Sequence, residues 1–256
     1  MTSNESGHTA LVTGGARGIG EAIAFALAED GHAVVVADLR ADEAQETAAR
    51  ITAAAGRAIG VEVDVANGTA VREAVQAAEA AFEAIDILVN CAGWDDLMPF
   101  VKTDELLWDR VIEINYKGVL RTTHAVLPGM IERGYGRIIN IGSDAGRVGS
   151  SLEAVYAGAK AGVIGFTKTV AREAARKGVT ANVVCPGPTD TPMLREVAGS
   201  SGPDADKVIA AMTSGVPMKR LGKPEEIATA VRFFAREDAA FITGQTLSVS
   251  GGLTMA

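Results

Sequence analysis

The sequence has few of the features that mark a secreted, metal-binding or membrane protein. Its only cysteines are Cys91 and Cys185, which are too far apart for a CxxC metal motif or a dense disulfide framework. They are expected to be free thiols in a reducing compartment. No apolar run approaches the ~18 residues that span a bilayer, and the polar first residues lack the layout of a signal peptide. The expected location is therefore the cytoplasm, and no metal is expected.

Basic residues and aromatic residues are also scarce. The chain has 24 Lys and Arg against 32 Asp and Glu, a formal net charge of −8. This balance excludes a general attraction to nucleic acid or to an anionic membrane, because both need a basic face. An anionic small molecule is not excluded, since backbone N–H groups bind phosphate on acidic proteins as well. Aromatic residues are 5% of the total, so the core must be built mainly from Ala, Val, Ile and Leu.

The chain does contain a regular alternation of short apolar runs and longer helical patterns. The continuous run at 33–37 predicts a strand that is covered on both faces, and the pattern at 104–133 predicts a long helical region. The alternation predicts a single α/β domain over residues 1–256, with a Rossmann-type, doubly wound parallel sheet and helices on both faces. The one long irregular stretch, 186–206, predicts a loop that covers the substrate.

A glycine-rich segment, TGGARGIG at residues 13–20, follows the first predicted strand and opens the first predicted helix. Glycines let the backbone turn tightly and approach a pyrophosphate at the helix N-terminus. Asp38, at the end of the second predicted strand, stands where an acidic residue binds the adenosine ribose. Its charge would repel a 2′-phosphate and so favours NAD over NADP, although Arg17 and Arg40 lie nearby. The alternative is that the glycines and Asp38 serve only as turns.

Tyr156 and Lys160 are four residues apart in a predicted helix and therefore share one face. A lysine ammonium beside a tyrosine favours the phenolate, so the expectation is that Lys160 lowers the pKa of Tyr156 towards neutrality. Tyr156 could then act as a general acid and base. Ser143, after another predicted strand, could offer a second hydroxyl to the substrate oxygen. The alternative is an ordinary exposed helix pair.

Taken together, these motifs resemble the short-chain dehydrogenase/reductase family over essentially the whole chain. Residues 13–20 match the family's TGxxxGxG loop, and Asn90 to Gly93 resemble its NNAG motif, with Cys91 in place of the second Asn. The resemblance implies a catalytic tetrad of Asn115, Ser143, Tyr156 and Lys160, with a water near Asn115 that relays the proton. The cofactor contacts it implies are Gly14, Arg17, Gly18, Ile19, Gly20, Asp38, Asp64, Val65, Asn90, Ala92, Gly93, Tyr156, Lys160, Pro186, Gly187, Thr189 and Thr191.

Four segments (90–95, 143–151, 185–191 and 241–245) are further similar to 2-hydroxycyclohexanecarboxyl-CoA dehydrogenases, which oxidise an alicyclic hydroxyacyl-CoA. This similarity implies NAD-dependent oxidation of a secondary alcohol on an acyl-CoA, and the wider family implies a homotetramer. The implied substrate-pocket residues are Ser143, Trp94, Asp95, Asp144 and Arg147. The cations that could meet CoA phosphates are Lys102, Arg195, Lys219, Arg220 and Lys223. Core packing for Trp94 and a solvated surface cation for Arg147 are equally open.

Two other functions remain open at this stage. A 3-oxoacyl-thioester reductase uses the same tetrad, usually with NADPH, and Asp38 argues against it. A catalytically inactive nucleotide-binding scaffold on the same fold is the second, and the intact tetrad argues against that one. Assay of an alicyclic hydroxyacyl-CoA against an acetoacetyl thioester would separate the two enzymes.

Overall fold

Short apolar segments form one parallel sheet in the computed structural model, which describes residues 7–199 and 205–255. The seven strands are β1 (Thr9–Thr13), β2 (Ala33–Asp38), β3 (Arg57–Glu62), β4 (Ile87–Asn90), β5 (Gly136–Ile141), β6 (Val179–Pro186) and β7 (Thr246–Val249). Their order across the sheet is β3-β2-β1-β4-β5-β6-β7, and every neighbouring pair is parallel. The order reverses between β1 and β4, which opens a crevice at the carboxyl ends of these strands.

Helices cover both faces of this sheet. They are α1 (Gly18–Glu29), α2 (Ala41–Ala53), α3 (Gly68–Phe82), α4 (Glu105–Ile112), α5 (Gly118–Arg133), α6 (Ala145–Val148), α7 (Ala154–Ala174), α8 (Pro192–Gly199), α9 (Ala205–Gly215) and α10 (Pro224–Ala235). Alternate residues of β1 point to opposite faces: Val12 packs with α1, α2 and α10, and Leu11 packs with α3, α5 and α7. The predicted single-domain, doubly wound α/β fold is confirmed.

The helical region predicted at 104–133 is helical but consists of more than one segment. It is divided into α4 and α5 by a π-helical turn at Glu113–Lys117. Asn115 lies in that turn, is completely buried, and its Nδ2 donates a hydrogen bond to the Val111 carbonyl oxygen at 2.9 Å. Single π turns inside α-helices are frequent at functional sites.

The stretch 186–206 is also more regular than predicted. It contains α8 and the start of α9, while residues 200–204 lie outside the described part. α8 begins at Pro192, where the missing N–H does no harm, and the Thr191 hydroxyl accepts a hydrogen bond from the Leu194 N–H at 3.1 Å. That this segment covers the substrate stays a prediction.

A cluster of aromatic and charged side chains lies at the amino ends of the strands. His8, His32, Asp86 and Tyr135 directly precede β1, β2, β4 and β5 respectively. The His8 ring stacks on Tyr135 at 4.3 Å and on His32 at 5.9 Å between ring centroids, and it lies 3.4 Å from Asp86. Because all strands are parallel, this cluster defines the amino edge of the sheet, which is opposite the crevice at the carboxyl ends of the strands.

Candidate active site

The glycine loop between β1 and α1 leaves no room for a side chain at Gly14 or Gly20. Gly14 has φ +65°, and a Cβ there would lie 2.7 Å from the Ala92 Cα. A Cβ on Gly20 would lie 2.0 Å from the carbonyl oxygen of Gly14. Arg17, at the start of α1, makes no side-chain cap bond to the first turn. Uncapped N–H groups beside a close backbone approach fit the pyrophosphate of a dinucleotide.

The segment after β6 reaches the same loop. A Cβ placed on Gly18 would lie 3.5 Å from the Thr191 side chain. The Gly187 N–H donates to the Val249 carbonyl at 3.1 Å, and the Thr189 hydroxyl donates to the Gly187 carbonyl at 2.9 Å. Pro186, the last residue of β6, leads into this turn. This segment, predicted to contact the cofactor, thus stands next to the glycine loop.

Asp38 has a different environment from the one that the sequence suggested. It is buried at the end of β2, and its two oxygens accept hydrogen bonds from the backbone N–H groups of Ala16 and Arg40, each at 3.1 Å. The carboxylate thus holds the glycine loop in place. The Arg17 guanidinium interacts electrostatically with Asp38 and forms a two-pronged ion pair with Glu196 on α8, whereas the Arg40 guanidinium pairs with Glu43 at 3.4 Å.

Three other predicted cofactor contacts, Asp64, Val65 and Asn90, make contacts within the protein. Asp64 accepts a hydrogen bond from the Ala66 N–H at 2.8 Å, and Val65 packs against Gly118 of α5. Asn90 is buried: its Nδ2 donates to the Asn140 side-chain oxygen at 2.8 Å. Asn90 therefore ties β4 to β5 through its side chain.

Asn115 and Trp94 are linked across the crevice. The Asn115 Nδ2 donates to the Trp94 carbonyl at 2.6 Å, and the Trp94 N–H donates back to Oδ1 at 3.3 Å. A Cβ on Gly93 would lie 3.0 Å from that Oδ1 and 3.7 Å from the Lys160 Nζ. The half-buried Trp94 indole lies under the Arg110 guanidinium, 3.8 Å from its centroid. The π turn thus braces the loop after β4 beside Lys160.

Ser143, Tyr156 and Lys160 meet at the carboxyl edge of β5. Ser143 lies close enough to the Tyr156 hydroxyl to lower its pKa, and the Lys160 Nζ lies 5.5 Å from the centroid of the Tyr156 ring. The same Nζ donates to the Ile141 carbonyl at 2.9 Å, and Lys160 is buried. With Asn115 nearby, the predicted tetrad is brought together by β5, α7 and the π turn.

The expected effect of Lys160 on Tyr156 is wrong for the protein without ligands. Burial raises the pKa of Tyr156 well above its usual value, and the carboxyl groups of Glu153 and Asp95 raise it further. Burial also lowers the pKa of Lys160 to about 8, which weakens the positive charge that was expected to favour the phenolate. The arrangement therefore keeps the proton on Tyr156.

The predicted pocket residues Asp144 and Arg147 both reach β7. The Ser248 hydroxyl donates to Asp144 Oδ1 at 2.5 Å, and the Arg147 Nη1 donates to the Ser248 hydroxyl oxygen at 2.6 Å. Asp144 is buried directly after Ser143, so this network fixes the segment that presents the serine hydroxyl.

Asp95 is buried next to Glu153, which the sequence reasoning missed. Glu153 stands three residues before Tyr156, a spacing that places both on one helix face and could have revealed it. Burial raises the pKa of Asp95 to about 7, and contact with Glu153 adds to the shift. The two thiols take no part: burial raises the pKa of Cys91 to about 12 and that of Cys185 to about 11.

Three of the five cations suggested for CoA phosphates are already engaged. Arg195 pairs with Asp190 at 2.7 Å, and Arg220 pairs with Glu226 at 2.6 Å. The Lys219 Nζ donates to the Ser214 carbonyl at 2.8 Å. Nothing in this arrangement gathers these cations into one phosphate site.

Residues 7–199 and 205–255 contain neither a membrane-spanning helix nor a cluster of metal ligands. No helix there is long and apolar enough to cross a membrane. No group of three His, Cys, Asp or Glu side chains there is placed to hold a metal ion.

Comparison with known proteins gives consistent matches. A family model described as enoyl-(acyl carrier protein) reductase matches residues 14–254. The 3-oxoacyl-[acyl-carrier-protein] reductase FabG of Vibrio cholerae is 42% identical, with 98% of this chain and 99% of that protein covered. The short-chain reductase protein NovJ of Streptomyces niveus is 42% identical over 95% of this chain and 92% of its own length. A variant of actinorhodin polyketide ketoreductase, solved with NADPH, has a TM-score of 0.91 at 37% identity, covering 96% of this chain and 97% of that one.

These matches correct two expectations. The similarity to alicyclic hydroxyacyl-CoA dehydrogenases is not supported, because the relatives are named as 3-oxoacyl-[acyl-carrier-protein] reductases and a short-chain reductase. The prediction of NAD is contradicted by the ketoreductase that was solved with NADPH. The physical reason is at Asp38: its charge is buried and bonded to backbone, and the Arg17 guanidinium interacts with it electrostatically.

Proposed function

Since the chain belongs to the short-chain dehydrogenase/reductase family, we propose that it reduces the keto group of a 3-oxoacyl thioester to a secondary alcohol with NADPH. One observation carries this proposal: Ser143, Tyr156 and Lys160 meet at the carboxyl edge of the sheet, next to an uncapped glycine loop. A nicotinamide cofactor bound at that loop supplies the hydride. The names of the relatives support the 3-oxoacyl thioester as substrate class.

The side chains divide the remaining work between them. Ser143 donates a hydrogen bond to the substrate carbonyl oxygen and holds it beside Tyr156. Tyr156 gives its proton to that oxygen as negative charge develops there. A Tyr156 that stays protonated because of its burial suits this direction, since ketone reduction consumes a proton. Asn115 keeps the Trp94 loop against the site through its two-way hydrogen bonds.

NADPH is proposed because of the charges near the ribose end of the glycine loop. Arg17 and Arg40 can pair with a 2′-phosphate, whereas the Asp38 carboxylate is buried against backbone N–H groups. A bound 2′-phosphate would compete with Glu196 for Arg17. Residues 186–206, including α8, are proposed to cover the substrate once the cofactor is bound.

The acid role is tested with Tyr156→Phe in an acetoacetyl thioester assay that follows NADPH absorbance. We expect kcat to fall by roughly 10²- to 10⁴-fold, as for loss of a general acid. Tyr135→Phe is the matched control, because the Tyr135 hydroxyl is buried at the amino edge and has no hydrogen-bond partner there among the described residues. Near-normal turnover of Tyr156→Phe would refute the proposed mechanism.

The cofactor is tested by comparing kcat/KM for NADPH and NADH in the same assay. We expect at least roughly tenfold preference for NADPH, since one charge-assisted contact to phosphate contributes about 1.5–3 kcal/mol. Arg40→Gln should reduce that preference while leaving kcat/KM for NADH nearly unchanged. An NADH preference in the unsubstituted protein would overturn the cofactor proposal without touching the catalytic residues.

A further inference from the structure

The Ser143 hydroxyl accepts a hydrogen bond from its own segment of the chain. The Ala145 N–H donates to Ser143 Oγ at 3.1 Å, and the Gly146 N–H donates to the Ser143 carbonyl oxygen at 3.0 Å. A serine oxygen that accepts such a bond still has its own hydrogen to donate to another group. The direction in which Ser143 donates therefore depends on how the backbone of residues 143–145 is held.

Asp144 stands between Ser143 and Ala145 and is anchored through both its backbone and its side chain. Its N–H donates to the Pro186 carbonyl oxygen at the end of β6, at 3.2 Å. Its side chain is only 3% exposed, and Oδ1 accepts the hydrogen bond from the Ser248 hydroxyl at 2.5 Å. Oδ2 is buried too, and no group of residues 7–199 and 205–255 donates a hydrogen bond to it. Within that part of the chain, the placement of this buried carboxylate thus depends on one donor, Ser248.

The hydrogen bonds of the Ser248 hydroxyl can run in one direction only. The Arg147 Nη1 donates to the Ser248 oxygen at 2.6 Å, and a guanidinium group has no acceptor. An ionised carboxylate has no donor, so the Ser248 hydrogen must point at Asp144. Hydrogen bonds with an ionised partner are shorter and stronger than neutral ones. Arg147 therefore fixes the orientation of the Ser248 hydroxyl and brings a positive charge near the buried Asp144.

Ser248 comes from a part of the sheet that carries no member of the tetrad. It lies on the edge strand β7 and is paired in register with Cys185 of β6. Strand β6 separates β7 from β5, the strand that leads to Ser143. Ser248 also follows Asp144 by 104 residues in the chain. The hydrogen bond between them thus connects the edge strand to the segment that presents the serine hydroxyl.

We propose that Ser248 is a positioning residue for the reduction: through Asp144 it holds Ser143 in the orientation that donates to the substrate carbonyl oxygen. The inference rests on the proposed function, because Ser143 has a developing oxyanion to stabilise only if the chain reduces a ketone. Ser248 acts through the side chain of Asp144 and needs no contact of its own with the substrate. Arg147 supports it by filling the acceptor position of the Ser248 oxygen.

The test is a double-mutant cycle of Ser248→Ala and Ser143→Ala in the full-length chain, with NADPH and an acetoacetyl thioester. Ser143→Ala should lower kcat roughly 10²- to 10³-fold, as when a donor to the developing oxyanion is lost. Ser248→Ala should lower kcat roughly tenfold with KM changed less than about threefold, since a small misplacement of reacting groups slows the chemical step. In the Ser143→Ala background, Ser248→Ala should change kcat less than about twofold, because no serine hydroxyl remains to be positioned.

A matched pair of variants isolates the hydroxyl group from the shape of the side chain. Thr and Val both suit a β-strand, and only Thr keeps a donor for Asp144. Ser248→Thr should therefore retain most of the turnover, whereas Ser248→Val should lose as much as Ser248→Ala. Ser214→Ala, which removes an exposed hydroxyl group in α9, is the control and should leave kcat unchanged. Melting temperature and the Kd for NADPH report whether each variant is folded.

The outcomes keep the two proposals apart. An equal loss from Ser248→Ala in both backgrounds would mean a general effect on the fold and would overturn the positioning role. A loss expressed in KM alone, or the same loss in Ser248→Thr as in Ser248→Val, would overturn it as well. These results leave the part played by Ser143 intact. Near-normal turnover of Ser143→Ala, in contrast, would refute the proposed mechanism itself and the positioning role with it.

Discussion

The Asn115 side chain forms hydrogen bonds with three backbone groups. It is fully buried in the π turn, and it bonds the Trp94 carbonyl, the Trp94 N–H and the Val111 carbonyl. A buried carbonyl that loses its donor costs about 1–3 kcal/mol. The side chain thus stabilises the loop after β4 against the helical turn, in addition to any part in proton transfer.

Asn115→Ala should therefore lower both stability and turnover. We expect the free energy of unfolding to fall by about 1–3 kcal/mol, since the Trp94 carbonyl is left without its donor. Urea unfolding followed by far-UV circular dichroism measures it. Thr169→Ala, a replacement on the exposed side of α7, should change the value by less than about 0.5 kcal/mol. Equal midpoints for Asn115→Ala and the unsubstituted chain would show that the brace contributes nothing.

The four tetrad positions could be predicted because motif order along the chain fixes them. The direction in which the pKa of Tyr156 shifts could not be predicted from the sequence. It depends on burial of the ring and on the charges of Glu153 and Asp95. Asp95 is far away in the sequence, and its loop is joined to the segment before α7 by the Met98–Leu152 backbone hydrogen bond. In the same way, the motif indicated Asp38 as a ribose ligand, but the hydrogen bonds from Ala16 and Arg40 follow from the folded loop.

At the scale of elements, the glycine loop shows how backbone alone makes a binding site. Gly14 and Gly20 stand on opposite sides of one turn, close enough that any Cβ on Gly20 would overlap a backbone oxygen. The clash could be removed only by moving backbone atoms, because the nearest atoms to such a Cβ belong to the backbone of Gly14 and Gly15. The same contact brings the first turn of α1 to face the crevice.

Gly20→Ala should displace the loop and weaken cofactor binding. A Cβ 2.0 Å from the Gly14 carbonyl oxygen forces the turn open. We expect the Kd for NADPH, measured by fluorescence titration, to rise at least roughly tenfold, which equals about 1.4 kcal/mol. Gly165→Ala on α7 is the matched control, because a Cβ there meets no atom within 4 Å. Alanine should be neutral or stabilising at that helical position. Unaltered NADPH affinity in Gly20→Ala would contradict the close contact.

Most strands could be predicted, since buried parallel strands are continuous apolar runs. β2 and β5 have every residue buried, and their bounds agree with the pattern within a residue. α8 could not be predicted: a proline, glycines and charged residues surround Pro192–Gly199, and its first turn depends on the Thr191 side chain. The π turn was hidden because its cause, the bonds of Asn115 to Trp94, is tertiary.

At the scale of the whole molecule, one edge of the sheet carries exposed apolar side chains. Phe241 is completely exposed and Leu247, on the edge strand β7, is 40% exposed. Phe233 on α10 and Met255 near the end of the chain are exposed as well. Apolar groups along an unpaired edge strand are typical of an interface between subunits. We propose that the chain is a homotetramer and that this edge takes part in it.

Phe241→Lys should weaken that assembly. Sedimentation equilibrium should give about four times 26.4 kDa for the unsubstituted chain and a smaller mass for the variant. The reason is that a buried lysine without a partner is costly in an apolar interface. Lys168→Ala, an exposed position on α7, should leave the mass unchanged. A monomer in the unsubstituted protein would refute the tetramer, and an unaltered mass for Phe241→Lys would locate the interface elsewhere.

The amino edge of the sheet lies opposite the crevice, so the protein could be attached to a solid support through that edge. Residues before the strands, such as the exposed Ala54 ahead of β3, are on the edge away from the glycine loop and Tyr156. A thiol introduced there as Ala54→Cys could be coupled to a resin with the crevice still open to the medium. The two native thiols would stay unreacted, because burial keeps them protonated at the pH of coupling. The fold thus permits a single, oriented point of attachment.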